Sequence, residues 1–262
     1  MSELDALPER YRLILCDLWG CVHDGYRLLP GAENRLRRWA NEGRTVLFVT
    51  NAPRSSATIE EQLDRLGLAS SLYAGVVSAG EVGITALSGR TVGFCGTEPD
   101  RADLGSRGLC FIDRGFDELA CAGLAPGETV ADYDERLAEW RSDEVLLHCL
   151  NPDRVVVHGA ERMVCAGALA DAYEEMGGRV CWYGKPHEAT YEHALWMAGS
   201  PPKNEVLAVG DGLSTDMLGA GRFGIDAVFV SGGVHAGEPF PHDWAKRHGL
   251  AEWRPILAVE RL

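Results

Sequence analysis

The 262-residue sequence lacks an apolar run long enough to cross a membrane. A membrane-spanning helix needs about 18–20 consecutive apolar residues, and no stretch of this chain reaches that length. The acidic start, Met1 to Asp5, also lacks the basic and apolar segments of a secretory signal. These two absences predict a protein without a membrane partner.

Basic residues are scarce relative to acidic ones, and the cysteines lack the spacing of metal fingers. The 25 lysines and arginines against 39 aspartates and glutamates give a formal net charge of −14. That balance argues against nucleic acid as a partner, because phosphate backbones are bound by basic surfaces. None of the eight cysteines forms a C-x-x-C pair. Several lie inside apolar, strand-like runs, which is typical of reduced thiols in a cytoplasmic protein.

The remaining composition is that of an ordinary globular protein, with 46% hydrophobic and 24% charged residues. Strand and helix patterns alternate along most of the chain, which indicates a parallel sheet covered by helices on both faces. The predicted strands are 12–16, 45–49, 91–95, 109–112, 145–150, 154–158, 205–209 and 226–230, and the predicted helices are 31–42, 55–66, 79–88, 98–107, 132–141, 163–176, 188–198 and 214–222.

This order of elements predicts an α/β fold with two domains. A doubly wound, Rossmann-like core with a parallel sheet would be formed by residues 1–89 and 179–262. The block at 90–178 alternates in the same way and is predicted to be an inserted α/β cap domain. Such a cap would close over a site, exclude water and select the organic part of a substrate.

Polar side chains stand at the carboxyl ends of three of these predicted strands, 12–16, 45–49 and 205–209, and of a further short apolar run, 180–183. Open parallel sheets hold their ligands at such strand ends. Two carboxylates can bind Mg²⁺ through oxygen, and another can attack phosphorus. A hydroxyl, an amide and an ammonium can hold the transferring oxygens. The set therefore favours phosphoryl transfer over a series of unrelated turn caps. Its members are Asp17, Thr50, Asn51, Lys185, Asp211 and Asp216.

The order of these residues resembles the motifs of the haloacid dehalogenase-like (HAD) hydrolase superfamily. The match spans nearly the whole chain, and its most specific part is the fourth motif, Gly210-Asp211-x-x-x-Thr215-Asp216. Within the superfamily the chain resembles subclass IIA, whose large cap is inserted between the second and third motifs. That subclass includes nitrophenyl phosphatase-like, phosphoglycolate, pyridoxal, nucleotide and sugar phosphatases. The resemblance implies a Mg²⁺-dependent phosphatase of a small phosphorylated metabolite, acting through an aspartyl-phosphate.

The resemblance also implies catalytic and metal-binding residues. Asp17 would attack phosphorus. Asp17, Asp211 and the backbone carbonyl of Trp19 would bind Mg²⁺, and Asp216 would support the site from behind these ligands.

Further residues are implied to bind the substrate. Thr50, Asn51 and Lys185 would hold the phosphoryl group, and Lys185 would also offset the charge of the nucleophile. In the cap, Asn151 and Asp153 would contact the substrate. From the residues alone, Asn151-Pro152-Asp153 is explained equally well as an Asx-Pro turn.

Trp19 is the important departure from the pattern of the superfamily. Phosphatases of this kind usually carry a second Asp two residues after the nucleophile, which protonates the leaving group. An indole has only an N–H donor and cannot act as an acid or base near neutral pH. That step typically contributes about 10²–10⁴-fold to the rate. A substitute acid from His23, Asp24 or the cap, or a leaving group that needs little protonation, would each resolve the difficulty.

Two other functions stay open from the sequence. The chain could bind a phosphorylated ligand without fast turnover, because Trp19 has replaced the acid. Relatives without the second Asp also include enzymes that cleave carbon–halogen and carbon–phosphorus bonds. The sequence does not decide among these functions, and it leaves open whether the chain forms a homo-oligomer.

Overall fold

The computed structural model describes residues 3–158, 161–233 and 240–262. The chain divides into two compact units. The core unit comprises Met1–Thr50, Ile59–Val77 and Lys185–Leu262, and the insert unit comprises Asn51–Thr58 and Ser78–Gly184. The predicted domain boundaries at 89/90 and 178/179 stay a prediction.

The described residues form thirteen strands. Most of them are short and apolar, as expected for strands of parallel sheets that are buried on both faces. They are β1 Leu13–Cys16, β2 Thr45–Thr50, β3 Gly75–Ser78, β4 Thr91–Cys95, β5 Cys110–Phe111, β6 Glu118–Cys121, β7 Leu146–Cys149, β8 Val155–His158, β9 Glu161–Val164, β10 Arg179–Trp182, β11 Val206–Gly210, β12 Asp226–Val230 and β13 Leu257–Val259.

The described residues also form nine α-helices and several single turns. None of these helices has the length and apolar character that a bilayer crossing requires. A π-helical turn, Leu213–Met217, follows β11 directly. The α-helices are α1 Ala32–Asn41, α2 Ser56–Arg65, α3 Ala79–Ala86, α4 Glu98–Ser106, α5 Asp134–Ser142, α6 Ala166–Glu175, α7 Glu188–Met197, α8 Leu218–Phe223 and α9 Trp244–Arg247.

The core unit is organised by a six-stranded sheet in the order β13-β12-β11-β1-β2-β3. β1 is central and pairs in parallel with β2 on one side and with β11 on the other. The chain runs outward through β2 on one side and returns later to β11 on the opposite side. The carboxyl ends of β1 and β11 therefore form the switch point at which such sheets place their ligands.

The insert unit has its own five-stranded sheet in the order β10-β7-β6-β4-β5, and its pairs are parallel. β8 and β9 pair separately as an antiparallel ribbon. Parallel sheets with flanking helices in both units confirm the predicted α/β fold with a doubly wound core.

Most predicted elements are found within one or two residues of their predicted ends, and the strands at 91–95 and 226–230 match fully. The predicted helix over 163–176 is wrong at its start. Residues 163 and 164 belong to β9, which pairs with β8, so α6 begins only at Ala166. β3, β6, β9 and β13 were not predicted as strands.

Tyr173 hydrogen-bonds to the backbone at the carboxyl end of α5 in the insert unit. Its buried hydroxyl lies 3.0 Å from the carbonyl oxygen of Trp140 and 2.7 Å from that of Val145, and it can donate to either. The last carbonyls of a helix have no intrahelical partner. The amide of Val145 donates to the carbonyl of Trp140 at 3.0 Å, and the Tyr173 hydroxyl adds a second donor at this helix end. Gly178 permits this packing, because a Cβ there would lie 2.5 Å from the tyrosine ring.

We expect Tyr173→Phe to lower the free energy of unfolding by about 1–3 kcal/mol, since it leaves buried carbonyls without this donor. Urea denaturation followed by circular dichroism measures the change. Tyr26→Phe is the matched control, because Tyr26 is 63% exposed. Equal stability of the two variants would contradict the role assigned to the hydroxyl.

Candidate active site

Asp17 follows β1 at the centre of the core sheet. Its amide donates to the carbonyl of Val209 on β11, which extends the strand pairing up to this residue. The next carbonyl, that of Leu18, accepts from the amides of Cys21, Val22 and His23. This tight turn brings the side chain of Cys21 back beside Asp17.

Asp211 follows β11, the strand next to β1, and lies close to two glycines. A Cβ at Gly20 or at Gly233 would overlap with the Asp211 carboxylate. Gly20 also has a φ of +79°, in the left-handed region that favours glycine. The backbone can therefore approach the Asp211 carboxylate at these two positions only because both lack a side chain.

Lys185 bridges two carboxylates within the core unit. Its Nζ donates to Oδ1 of Asp17 at 2.6 Å and to Oδ1 of Asp216 at 2.8 Å. All three residues are buried, and Lys185 is only 3% exposed. Charge-assisted hydrogen bonds of this kind are stronger than neutral ones and become more effective away from water.

Asp216 lies on the π-helical turn after β11. Its Oδ2 accepts from the amide of Gly212 at 3.2 Å and from Oγ1 of Thr215 at 3.3 Å. A Cβ at Gly210 would overlap with the Asp216 side chain. The glycine and the turn together aim the second carboxylate oxygen, Oδ1, at Lys185.

Burial and charge shift the titration of this cluster. Burial raises the pKa of Asp17 to about 7, partly opposed by Lys185, while Asp211 adds to the increase. Burial also raises the pKa of Asp216 to about 6, again opposed by Lys185. Burial lowers the pKa of Lys185, but the two carboxylates outweigh it and hold this pKa well above its ordinary value. If all three aspartates are ionised, their three negative charges and the one positive charge of Lys185 give the four side chains a net charge of −2.

A group of potential metal ligands lies beside Lys185. One donor atom from each of Asp17, Cys21 and Asp211 lies within 4.8 Å of the other two, and all three residues are buried. Two buried carboxylates side by side suit a divalent cation with oxygen ligands, such as Mg²⁺. Cys21 was not among the site residues predicted from the sequence. Its position four residues after Asp17, just past a glycine turn, is the signal that could have identified it.

The indole of Trp19 packs against its own loop. It meets the imidazole of His23 edge to face, with ring centroids 5.7 Å apart. A Cβ at Gly25 would lie 2.5 Å from the indole, so the loop also closes over Trp19 at a residue with a φ of +88°.

His23 and Asp24, the two candidate acids of this loop, differ in environment. Nδ1 of the buried His23 accepts from the amide of Gly25 at 3.0 Å, and burial lowers its pKa. The amides of Tyr26 and Arg27 donate to Asp24 and lower its pKa. Asp24 is therefore a poor proton donor near neutral pH, whereas Nε2 of a neutral His23 carries a proton.

The predicted substrate-binding residues fall into both units. Thr50 ends β2 in the core unit. In the insert unit, Nδ2 of Asn51 donates to Oδ1 of Asp153 at 2.8 Å. The amide of Asp153 donates to Oδ1 of Asn151 at 3.1 Å, which is the geometry of an Asx turn. The structure thus brings Asn51, Asn151 and Asp153 together, and their predicted contact with substrate stays a prediction.

Comparison with known proteins gives consistent matches. The family model of haloacid dehalogenase-like hydrolases matches residues 14–110, and a HAD-hydrolase-like model matches residues 182–252. Chronophin of Mus musculus is 30% identical over 84% of this chain and 81% of its own length. The ribonucleotide monophosphatase NagD of Escherichia coli K12 is 24% identical over 88% and 94%.

A solved structure agrees with the sequence matches. It is the crystal structure of a haloacid dehalogenase-like hydrolase from Brucella suis 1330, with 34% identity and a TM-score of 0.86. The match covers 100% of this chain and 99% of that one. The chain therefore belongs to the haloacid dehalogenase-like hydrolase family, in subclass IIA, as the sequence predicted.

Proposed function

We propose that this protein hydrolyses a small phosphorylated metabolite with the help of Mg²⁺, through a phosphoryl group carried transiently on Asp17. The observation that carries the proposal is the buried ammonium of Lys185, held between Asp17 and Asp216. A lysine placed there neutralises part of the charge that would otherwise repel a phosphate from a carboxylate nucleophile. The predicted enzyme class, a phosphoric monoester hydrolase, is confirmed by membership of the family and its phosphatase relatives.

The metal would be held by Asp17, Asp211 and the backbone carbonyl of Trp19. Support comes from the two buried carboxylates, whose donor atoms lie within 4.8 Å of each other. When bound, Mg²⁺ would supply positive charge to the transferring phosphoryl group. Asp216 would not bind the metal; it would hold the ammonium of Lys185 in place by accepting its hydrogen bond.

The reaction would proceed in two displacements at phosphorus. An Asp17 carboxylate oxygen forms a bond to phosphorus as the bond to the leaving oxygen breaks. Water then attacks the phosphoaspartate and releases inorganic phosphate and the free carboxylate. Lys185, Thr50 and Asn51 would hold the phosphoryl oxygens during both displacements.

The substrate class follows from the relatives and from Trp19. One relative is named as a ribonucleotide monophosphatase, which supports a small phosphorylated metabolite. Because Trp19 offers no acid, we propose a leaving group that departs with little protonation, such as an acyl or enol phosphate.

The eight cysteines, all in the described ranges, are free of disulfides, which supports action in the cytoplasm.

A second candidate is slow turnover combined with binding of a phosphorylated ligand. The observation that favours it is the packing of Trp19 against His23, at the position that usually carries the acid. No contact of the described residues favours cleavage of a carbon–halogen or carbon–phosphorus bond over that of a phosphate ester.

We expect Asp17→Asn to abolish phosphate release, with a loss of at least about 10³-fold, because an amide cannot attack phosphorus. The measurement is phosphate release with Mg²⁺ from acyl, enol, sugar and nucleotide phosphates. Asp100→Asn is the matched control, since Asp100 is a buried carboxylate in α4. Retained turnover in Asp17→Asn would exclude the aspartyl-phosphate.

We expect Trp19→Asp to raise kcat at least about tenfold for alkyl phosphates, because it restores an acid to the loop. Little change is expected for acyl phosphates, whose leaving group needs no proton. Trp196→Asp serves as the control, as Trp196 is 71% exposed on α7. If kcat stays the same for both substrate types, another residue supplies the proton.

We expect chelation to remove activity and Mg²⁺ to restore it. We also expect Mg²⁺ at about 100 times its Kd to stabilise the wild-type protein by about 2.7 kcal/mol. Asp211→Asn should lose this stabilisation, since it removes one of the two carboxylate ligands, whereas Asp100→Asn should keep it. Thermal unfolding with and without Mg²⁺ gives the result, and equal stabilisation of both variants would place the metal elsewhere.

A further inference from the structure

Cys21 contributes sulfur to a group that otherwise offers only carboxylate oxygen. Its Sγ atom and one carboxylate oxygen each from Asp17 and Asp211 lie within 4.8 Å of one another, close enough for one cation to bind all three. The residue is 2% exposed. It is held there by the turn at Leu18, whose carbonyl accepts from the amide of Cys21 at 3.4 Å and from that of Val22 at 2.8 Å. The thiol is therefore part of a formed site rather than a surface group.

Sulfur and oxygen ligands select different cations. Mg²⁺ is a hard cation that takes oxygen ligands and keeps several waters. Thiolates favour softer cations such as Zn²⁺, and Co²⁺ and Cd²⁺ occupy comparable sites. A site with two carboxylates and one thiol can thus bind Mg²⁺ through oxygen alone and a softer cation through oxygen and sulfur together.

We propose that this site also binds a thiophilic divalent cation, with the Cys21 thiolate and the carboxylates of Asp17 and Asp211 as ligands. The inference rests on the proposed function in placing a metal at Asp17 and Asp211. It goes further by assigning Cys21 as a third ligand and by naming a second class of cation. A soft cation held in this way competes with Mg²⁺ for the two carboxylates.

The distances are compatible with one shared cation. A zinc-like cation lies about 2.3 Å from sulfur and about 2.1 Å from oxygen, so in a tetrahedral site these two ligands lie about 3.6 Å apart. The three donor atoms lie within 4.8 Å of one another before any cation draws them together. Lys185 donates to Oδ1 of Asp17, and a carboxylate has further acceptor sites through which it can also bind a cation.

Thiolate coordination exchanges a proton for a metal bond. The sulfur–hydrogen bond of Cys21 breaks, the sulfur lone pair forms the bond to the cation, and the proton leaves to solvent. Binding of Mg²⁺ through the carboxylates alone involves no such exchange. No oxidant or reductant is needed, because neither the sulfur nor the cation changes its oxidation state.

Titration of the full-length protein with Co²⁺, followed by absorption in the near ultraviolet, tests the proposal. A cobalt–thiolate bond gives a sulfur-to-metal charge-transfer band that carboxylate ligands do not give. We expect this band in the wild-type protein and its loss in Cys21→Ser, which replaces sulfur by a hard oxygen donor. Cys16→Ala is the matched control, because Cys16 is also buried beside Asp17 but lies outside the group of ligands.

Affinity provides the second measurement. We expect Cys21→Ser to weaken binding of Co²⁺ and Zn²⁺ by about tenfold or more. The affinity of the same variant for Mg²⁺, measured by the shift in thermal unfolding, should change less than about twofold. Co²⁺ bound to the wild-type protein without the band, or with a band that Cys21→Ser retains, would overturn the proposal.

The same experiment separates this inference from the proposed function. If Mg²⁺ stabilises the wild-type protein and Asp211→Asn abolishes the effect, the metal site of the proposed function stands. An absent cobalt–thiolate band would then exclude Cys21 alone. In the opposite case, the wild-type protein shows the cobalt–thiolate band, Cys21→Ser loses it, and Asp17→Asn retains turnover. The thiophilic site then stands and the proposed reaction fails.

Discussion

The buried contact of Lys185 with Asp17 and Asp216 is the interaction on which the rest of the site depends. In the sequence, Lys185 lies 168 positions from Asp17 and 31 positions from Asp216. Breaking a buried ion pair by removing one partner typically costs about 3–5 kcal/mol, because a charge is left without compensation. Lys185 compensates only one of the two carboxylates it touches, and Asp211 adds a further negative charge nearby. A divalent cation at Asp17 and Asp211 would add to the compensation that Lys185 provides.

The topology of the core sheet explains why these groups meet. β1 and β11 are neighbours although nearly two hundred residues separate them, and an aspartate follows each of them directly. Their proximity alone would not create the site, because side chains on the surrounding turns would fill it. Gly20 and Gly233 leave the space next to Asp211, and Gly210 leaves the space next to Asp216. The glycines thus set the shape of the site, while the strands set its position.

The sequence predicts the fold well because its buried strands are apolar and its helices alternate with them regularly. It misses β6, whose residues Glu118–Cys121 contain no β-branched side chain, so local propensity gives little signal. It also extends α6 backwards into β9, which becomes a strand only by pairing with β8. Strand-end motifs identify Asp17, Lys185, Asp211 and Asp216, which the structure brings together. Cys21 could not be assigned in this way, because its place beside the carboxylates depends on the three-dimensional turn at Leu18.

The loop after Asp17 is shaped around the indole of Trp19, and this bears on how the substitution should be understood. Gly25 adopts a φ of +88° and has no Cβ where the indole packs, while His23 meets the indole edge to face and accepts the amide of Gly25. An aspartate at residue 19 would make none of these apolar contacts. Since the loop offers the tryptophan such a fitted space, Trp19 is an integrated part of this turn rather than an isolated lost acid. Selection of a substrate with an easily released leaving group is therefore the simpler way for this chain to combine Trp19 with the retained Asp17 and Lys185.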